Sequence, residues 1–369
     1  MRLRPTLLAV TLSLSCGIAF ADLPNTQFFG KQNSDLGASA AYWTPERLRN
    51  AKPMPMPKVS PNTVHILPIP APTDIQDGEG APPTYLGPIE PQRLYTPTKT
   101  LVKDALQKRP MDRGTLNQDF SSSRLVPLTA DVVYPYRTVG KLFFTIPNQG
   151  NYVCSASVLR PRVVLTAGHC VHSGSGGSGG YFTNWLFIPA FRDGAAPYQS
   201  WNWSYVLATS DWMTGGGSVP NAADYAMIEV QDRVINGLTR RLGDVTGYLG
   251  YQTLSLIPNH VHQLGYPCNL DSCQKMHQVT AESARSVAPN NVEYGSDMRG
   301  GASGGPWVQN FGQLAVGQTG GLNPGLNRVV GITSYGYVST APKALGSSIP
   351  DGRFVSLLVA LCTHKVGNC

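Results

Sequence analysis

An all-β fold is what this sequence predicts from about residue 125 onward, and three observations carry it. Short apolar runs recur at close spacing, Gly (39) and Pro (30) are abundant among the 369 residues, and only 14% of the chain is charged. That mix favours strands joined by turns over helical bundles, and leaves a sandwich or barrels open. The runs, in order, are 140–146, 152–159, 163–167, 226–230, 261–266, 307–308 with 314–316, and 329–335. Residues 152–159 and 163–167 read as a hairpin turning at Arg160-Pro161-Arg162, and one helix is expected at 353–362. The length alone allows two or three domains.

The first 21 residues read as a secretory signal peptide. Arg2 and Arg4 precede an apolar stretch from Leu7, and Ala19-Phe20-Ala21 fits the cleavage pattern. Thr11, Ser13 and Ser15 interrupt that stretch, which is short for a span of about 20 residues. Residues 22–124 hold about half of the prolines and little apolar periodicity, so they bury too little surface to offset their ordering entropy. This segment is expected to be extended or largely disordered, apart from a short helix at 98–107. Its place suggests a propeptide, with a stalk or partner-binding linker as alternatives. Cleavage is expected after Arg124, in the exposed run Ser121-Ser122-Ser123-Arg124, with Arg113 serving nearly as well.

Beyond Cys16, six cysteines remain: Cys154, Cys170, Cys268, Cys273, Cys362 and Cys369. Six allow 15 pairings, yet the spacing suggests three local ones. Folding the hairpin back brings Cys154 close to Cys170, and a bridge there is worth roughly 3 kcal/mol in the chain-entropy model. Cys268 with Cys273 would clip a short loop, and Cys362 with Cys369 the tail. No paired C-x-x-C with suitable histidines supports zinc. His260 and His262 share one strand face, but two imidazoles are too few, so neither a metal nor a cofactor is expected.

Three stretches carry candidate chemistry. Ser303 lies in Gly300-Gly301-Ala302-Ser303-Gly304-Gly305-Pro306, where glycines let a substrate carbonyl approach backbone N–H groups. His169 closes the strand Val163-Val164-Leu165 within Thr166-Ala167-Gly168-His169-Cys170. Asp224 opens the apolar strand Ala226-Met227-Ile228-Glu229-Val230, where a bare carboxylate is costly unless hydrogen-bonded. A serine hydroxyl needs a base, an orienter for that base, and donors for the oxyanion.

Taken together, TAGHC, DYAMIEV and GGASGGP resemble the histidine, aspartate and serine motifs of the chymotrypsin family of serine proteases, over roughly the last two thirds of the chain. The resemblance implies two six-stranded antiparallel β-barrels, about 125–255 and 256–369, with the cleft between them. It also implies Ser303 as nucleophile, His169 as base, Asp224 as its orienter, an oxyanion hole from the N–H groups of Gly301 and Ser303, and the Cys154–Cys170 bridge. Ala302 stands where animal members keep an aspartate that pairs with the new N-terminus, so latency would rest on the propeptide covering the cleft. A bacterial, glutamyl-endopeptidase-like branch is the nearer likeness, through the Gly-rich serine loop and Gly265-Tyr266-Pro267. Thr333 matches the pocket-strand histidine of its acid-specific members, which counts against glutamate. Asp297 lies where trypsin-like members place a pocket carboxylate favouring Arg or Lys. Alternatively, it pairs with Arg299 or caps a turn. Ser334 to Gly336 would form one pocket wall and pair with substrate backbone.

The net charge of +7 falls to +3 from residue 125 on, from 15 basic and 12 acidic residues without a run. Nothing there resembles a nucleic-acid footprint. The Gly/Ser loop at 173–180 is expected to be mobile. The expected protein is a secreted or periplasmic monomeric endopeptidase, free of the membrane once its signal is removed, acting on proteins or peptides and preferring Arg or Lys. Broad or acidic specificity, or an inactive protease-like binding module, are the alternatives.

Overall fold

A computed structural model describes residues 28, 30–69, 73–97, 118–125, 127–313, 323–338 and 343–369. The signal peptide, the helix expected at 98–107, Arg113 and the strand expected at 314–316 lie outside the described residues.

Twelve strands form the body. The first six are β1 (Val139–Ile146), β2 (Gly150–Arg160), β3 (Val163–Thr166), β4 (Thr183–Pro189), β5 (Trp201–Ala208) and β6 (Ala226–Val230). They pair antiparallel in the closed order 1-2-3-6-5-4. The next six are β7 (His260–Gly265), β8 (His277–Val287), β9 (Asn291–Gly295), β10 (Pro306–Gln309), β11 (Arg328–Ile332) and β12 (Ala344–Ser348). They repeat that order, β7-β8-β9-β12-β11-β10. An antiparallel bridge between Tyr335, just past β11, and Gly346 completes the ring. The fold is therefore the expected all-β pair of barrels. Each closure removes the free edges that an open sheet would expose.

Residues 140–146 are apolar almost throughout because β1 is buried on both faces. One face lines the barrel. Over the other, Trp43 from the N-terminal segment packs edge-on against Phe143 with ring centroids 5.6 Å apart. Lys141 is buried in this strand, its Nζ donating to the Cys273 carbonyl at 3.0 Å beside the rings of Phe143 and Phe191. Burial pushes its pKa down to about 7.

The described part of the Pro-rich segment is extended, and it is ordered rather than disordered. It has too few apolar residues for a core of its own, so it borrows strand edges from the body. Lys31–Gln32 pairs with β5, Lys52–Pro53 with β2, Lys58–Val59 with Gly336–Tyr337, Ile66–Leu67 with β8, and Asp77–Gly78 with Gly250–Gln252. Two short helices, Leu36–Tyr42 and Pro45–Asn50, are capped by the side chains of Asp35 and Thr44. The run expected to be an open cleavage loop is also a strand, Phe120–Arg124, paired with His277–Ala281 of β8.

The structure joins Cys154 to Cys170, Cys268 to Cys273 and Cys362 to Cys369. The C-terminal helix, Gly352–His364, starts at an Asp351 cap and lays Phe354, Leu357, Leu358 and Leu361 on the first barrel's side of the core. Its far end is fixed by the buried Glu229 of β6, which accepts from Ser204 Oγ, His364 Nδ1 (2.8 Å) and Asn368 Nδ2 (2.7 Å). Burial pushes the Glu229 carboxyl up, but these bonds outweigh it and hold the group below its ordinary value. Glu229→Ala removes one of the two acceptors of the buried Asn368 amide and the partner of His364, and so loosens the helix end. We expect a loss of about 2–3 kcal/mol in urea unfolding, with the last turn of the helix losing amide protection first.

Candidate active site

Strand pairing brings His169 and Asp224 to one barrel end. Thr166 of β3 faces Ala226 of β6, so the residues just past the first and just before the second meet. His169 lies in a single turn, Gly168–Cys170, anchored by the Cys154–Cys170 bridge. The Asp224 carboxylate, 1% exposed, accepts three hydrogen bonds. The His169 backbone N–H reaches Oδ1 at 2.9 Å, while His169 Nδ1 (2.8 Å) and Ser334 Oγ (2.5 Å) reach Oδ2. A carboxylate can only accept, so Nδ1 carries the proton and Nε2 is left as an acceptor. Asp224 N–H donates to Ser348 Oγ at 3.0 Å, so β12 of the second barrel also holds this residue.

Ser303 ends the turn that enters β10. Its carbonyl accepts from the Ser155 N–H at 2.7 Å. Ser155 Oγ donates to Gly301 O (2.8 Å) and accepts from Tyr266 N–H (2.9 Å), so one β2 residue clamps the serine loop from the opposite barrel. Two glycines are forced by this packing. Gly301 has φ +95°, and a Cβ there would lie 2.6 Å from Tyr266 O; Gly304 has φ +79°, and its Cβ would collide with Thr166 Oγ1 and Ser155 O. Side chains rarely adopt either φ.

His169 Nε2 and Ser303 Oγ are both sealed from solvent, and neither has a hydrogen-bond partner. The structure thus joins Asp224 to His169 but not His169 to Ser303. An orphaned buried polar atom costs about 1–3 kcal/mol. Two of them on adjoining motifs are a strain that a purely structural site would not keep, and the nucleophile–base bond is often loose without substrate.

The four expected pocket residues divide. Asp297, largely buried, has its carbonyl bonded by Asn269 Nδ2 at 2.9 Å, and its charge acts on Arg299. Burial lowers the Arg299 pKa and Asp297 opposes that shift. Thr333 points inward, Oγ1 accepting from Trp307 Nε1 at 2.9 Å. Ser334 donates its hydroxyl to Asp224, which leaves its backbone for the expected wall. Gly336 N–H donates to Pro57 O at 3.0 Å. Sequence reasoning gave Ser334 only a wall and did not find Ser155 or Ser348. It also passed over Glu293, buried in β9, which accepts from Arg285, Tyr335 and Tyr337 and braces the strand after Ser334. A lone carboxylate within a buried strand was the available signal there.

The Gly/Ser loop at 173–180, expected to be mobile, is pinned by buried His172. Its Nε2–H donates to Gly177 O at 2.6 Å, Nδ1 accepts from Gly174 N–H at 3.0 Å, and burial lowers the ring's pKa. His262 is half-buried in β7 with its pKa lowered by burial and by His260. Among the described residues one cluster, Cys154, His169 and Cys170, gathers three possible ligand atoms within 4.8 Å. Both sulfurs are in a disulfide and Nδ1 is committed to Asp224, so this donor set does not fit an ion. No helix among the described residues is long and apolar enough to cross a membrane.

The family model described as Trypsin matches residues 136–357. Over 183 residues the chain is 28% identical to a glutamyl endopeptidase of Bacillus licheniformis, covering 48% of this chain and 51% of that protein. Over 196 residues it is 26% identical to a Bacillus subtilis protein named extracellular metalloprotease, covering 51% and 58%. The chain thus spans little more than half the length of these relatives. A solved thermostable serine protease, AL20, from an extremophilic microorganism is similar in fold, with TM-score 0.51 and 24% identity, covering 62% of this chain and 98% of that one.

Gly304→Ala must displace Thr166 and Ser155 and strain φ. We expect a loss of about 2–4 kcal/mol by urea unfolding. For His172 the folded pKa lies below the ordinary 6.5, so its contribution is full above that value and fades as pH falls through the folded pKa. The stability advantage of wild type over His172→Phe, measured by urea melts, is therefore expected to shrink between about pH 7.5 and 5.

Proposed function

Because the chain belongs to the trypsin family of serine proteases, we propose that it is an exported endopeptidase with Ser303 as nucleophile, His169 as general base and Asp224 as orienter. The observation that carries this is the buried Asp224–His169 pair with Nε2 left as an acceptor, beside a sealed and unbonded Ser303 hydroxyl. In the reaction, Ser303 Oγ attacks the scissile carbonyl carbon as its proton passes to His169 Nε2. Asp224, which accepts from three donors, stabilises the imidazolium. The N–H groups of Gly301 and Ser303 receive the oxyanion. His169 then gives its proton to the departing amine, leaving an acyl-enzyme that water hydrolyses through the same steps reversed. The signal-like leader, three disulfides and a relative named extracellular support export.

For the residue before the cleaved bond, Asp297 supports Arg or Lys through a charge-assisted pair. The relative named glutamyl endopeptidase favours a second reading, glutamate, for which Arg299 rather than Asp297 would be the partner.

Ser303→Ala is expected to lower the cleavage of labelled casein by the secreted protein by at least about 1,000-fold. Cleavage that persists in the variant, or never occurs in wild type even after the segment before the barrels has been cut away, would reject the proposal, and the second result would favour a binding module. Reading the bonds cut in a defined peptide mixture separates the specificities. If cuts follow Arg or Lys, Asp297→Asn should lower kcat/KM on them about tenfold or more, the equivalent of a lost charged hydrogen bond. Cuts after Glu that depend on Arg299 would give the second reading.

A further inference from the structure

Residues 52–59, Lys-Pro-Met-Pro-Met-Pro-Lys-Val, take part in neither barrel, yet they touch both sides of the candidate site. Lys52–Pro53 runs parallel to β2 at Tyr152 and Val153, and Met54 N–H donates to Val153 O at 2.9 Å. The Met54 carbonyl lies 3.1 Å from where a Cβ on Gly300 would be, beside the serine loop. Met56 is buried in the cluster that holds Met298, Ala302 and Leu345, and its sulfur lies 3.1 Å from a would-be Cβ on Gly336. Pro57 O then accepts from Gly336 N–H, and Lys58–Val59 runs parallel to Gly336–Tyr337.

From this path we infer that residues 52–59 form an internal strap that fills the cleft backwards and holds the enzyme latent. The inference rests on the protease reading above and adds the residues, their direction and the reason they survive. A substrate lays the residue before its scissile bond against the wall Ser334 to Gly336. Its acyl half must therefore lie on that strand and its leaving half beyond Ser303, towards β2. The strap runs the other way: its N-terminal end is on β2 and its C-terminal end on Gly336. Peptide carbonyls presented in reverse do not align an amine leaving group with His169. The Lys52–Pro53, Met54–Pro55 and Met56–Pro57 bonds are also tertiary amides, lacking the N–H that an ordinary peptide bond carries on its leaving nitrogen. Alternate prolines stiffen the segment in an extended form, so little entropy is lost on docking. Met56 seats in the pocket region as the apolar anchor. Ser303 Oγ and His169 Nε2 are consequently sealed, and activity requires the strap to leave.

The test uses the full chain after export. A fluorophosphonate probe reports access to a nucleophilic serine, with Ser303→Ala as background. Wild type is expected to label slowly, Met56→Leu equally slowly, and Met56→Asp at least about tenfold faster. Equal labelling of wild type and Met56→Asp overturns the strap while the serine reading stands. No labelling of either above background overturns the nucleophile, and the strap with it. Hydrogen exchange on full-length Ser303→Ala needs neither nucleophile nor unfolding-prone variant. Met54 and Gly336 amides are expected to be protected as well as those of β2, and exchange at the rate of open loops overturns the strap whatever the labelling shows.

Discussion

The structure depends on how one buried carboxylate is satisfied. An ionised Asp224 away from water costs several kcal/mol unless donors surround it. Two of those donors belong to His169 in the first barrel, and the third is Ser334 in the second. The carboxylate is therefore fully paired only when the barrels are docked, while the ring's tautomer is fixed within the first barrel by Asp224 itself. Ser155 acts reciprocally on the serine loop, holding Ser303 and Gly301 from β2. Each barrel positions candidate residues that belong to the other, which ties the geometry of the site to the integrity of the seam.

The barrels share one strand order, 1-2-3-6-5-4, and the site grows from equivalent ends of both. His169 follows the third strand of its barrel and Asp224 precedes the sixth, while Ser303 precedes the fourth of its own and Ser334 follows the fifth. Loops at strand ends can carry reactive groups because the closed sheets beneath them do not move. The N-terminal segment contributes differently. It has no core, and it is held by edges, two small helices and single anchors such as Trp43 and Met56.

Much of this could be read from the residues, and the reasons for the rest are physical. The three motif residues stood out together: a serine between glycines, a histidine at a strand end and an aspartate opening an apolar strand are each ordinary alone, and their combination in that order is not. The barrels' strands were readable from apolar runs. The two-residue strands at Lys31, Lys52 and Lys58 were not, since pairing through main chain alone leaves no side-chain periodicity. Disorder was inferred there because the segment's own composition says nothing of edges supplied by residues far along the chain. Ser334 was placed on the correct strand, but its bond to Asp224 was not foreseen, because that carboxylate is 110 residues away. Thr333 and Trp307 were likewise invisible as a pair.

The strand Phe120–Arg124 changes where the functional unit begins. It covers one side of β8 from His277 to Ala281, so a chain trimmed after Arg124 would surrender a row of main-chain donors and acceptors to water. Such an open edge invites another molecule's strand. With these five residues in place the second barrel has an outer stave, although their composition groups them with the Pro-rich segment before it.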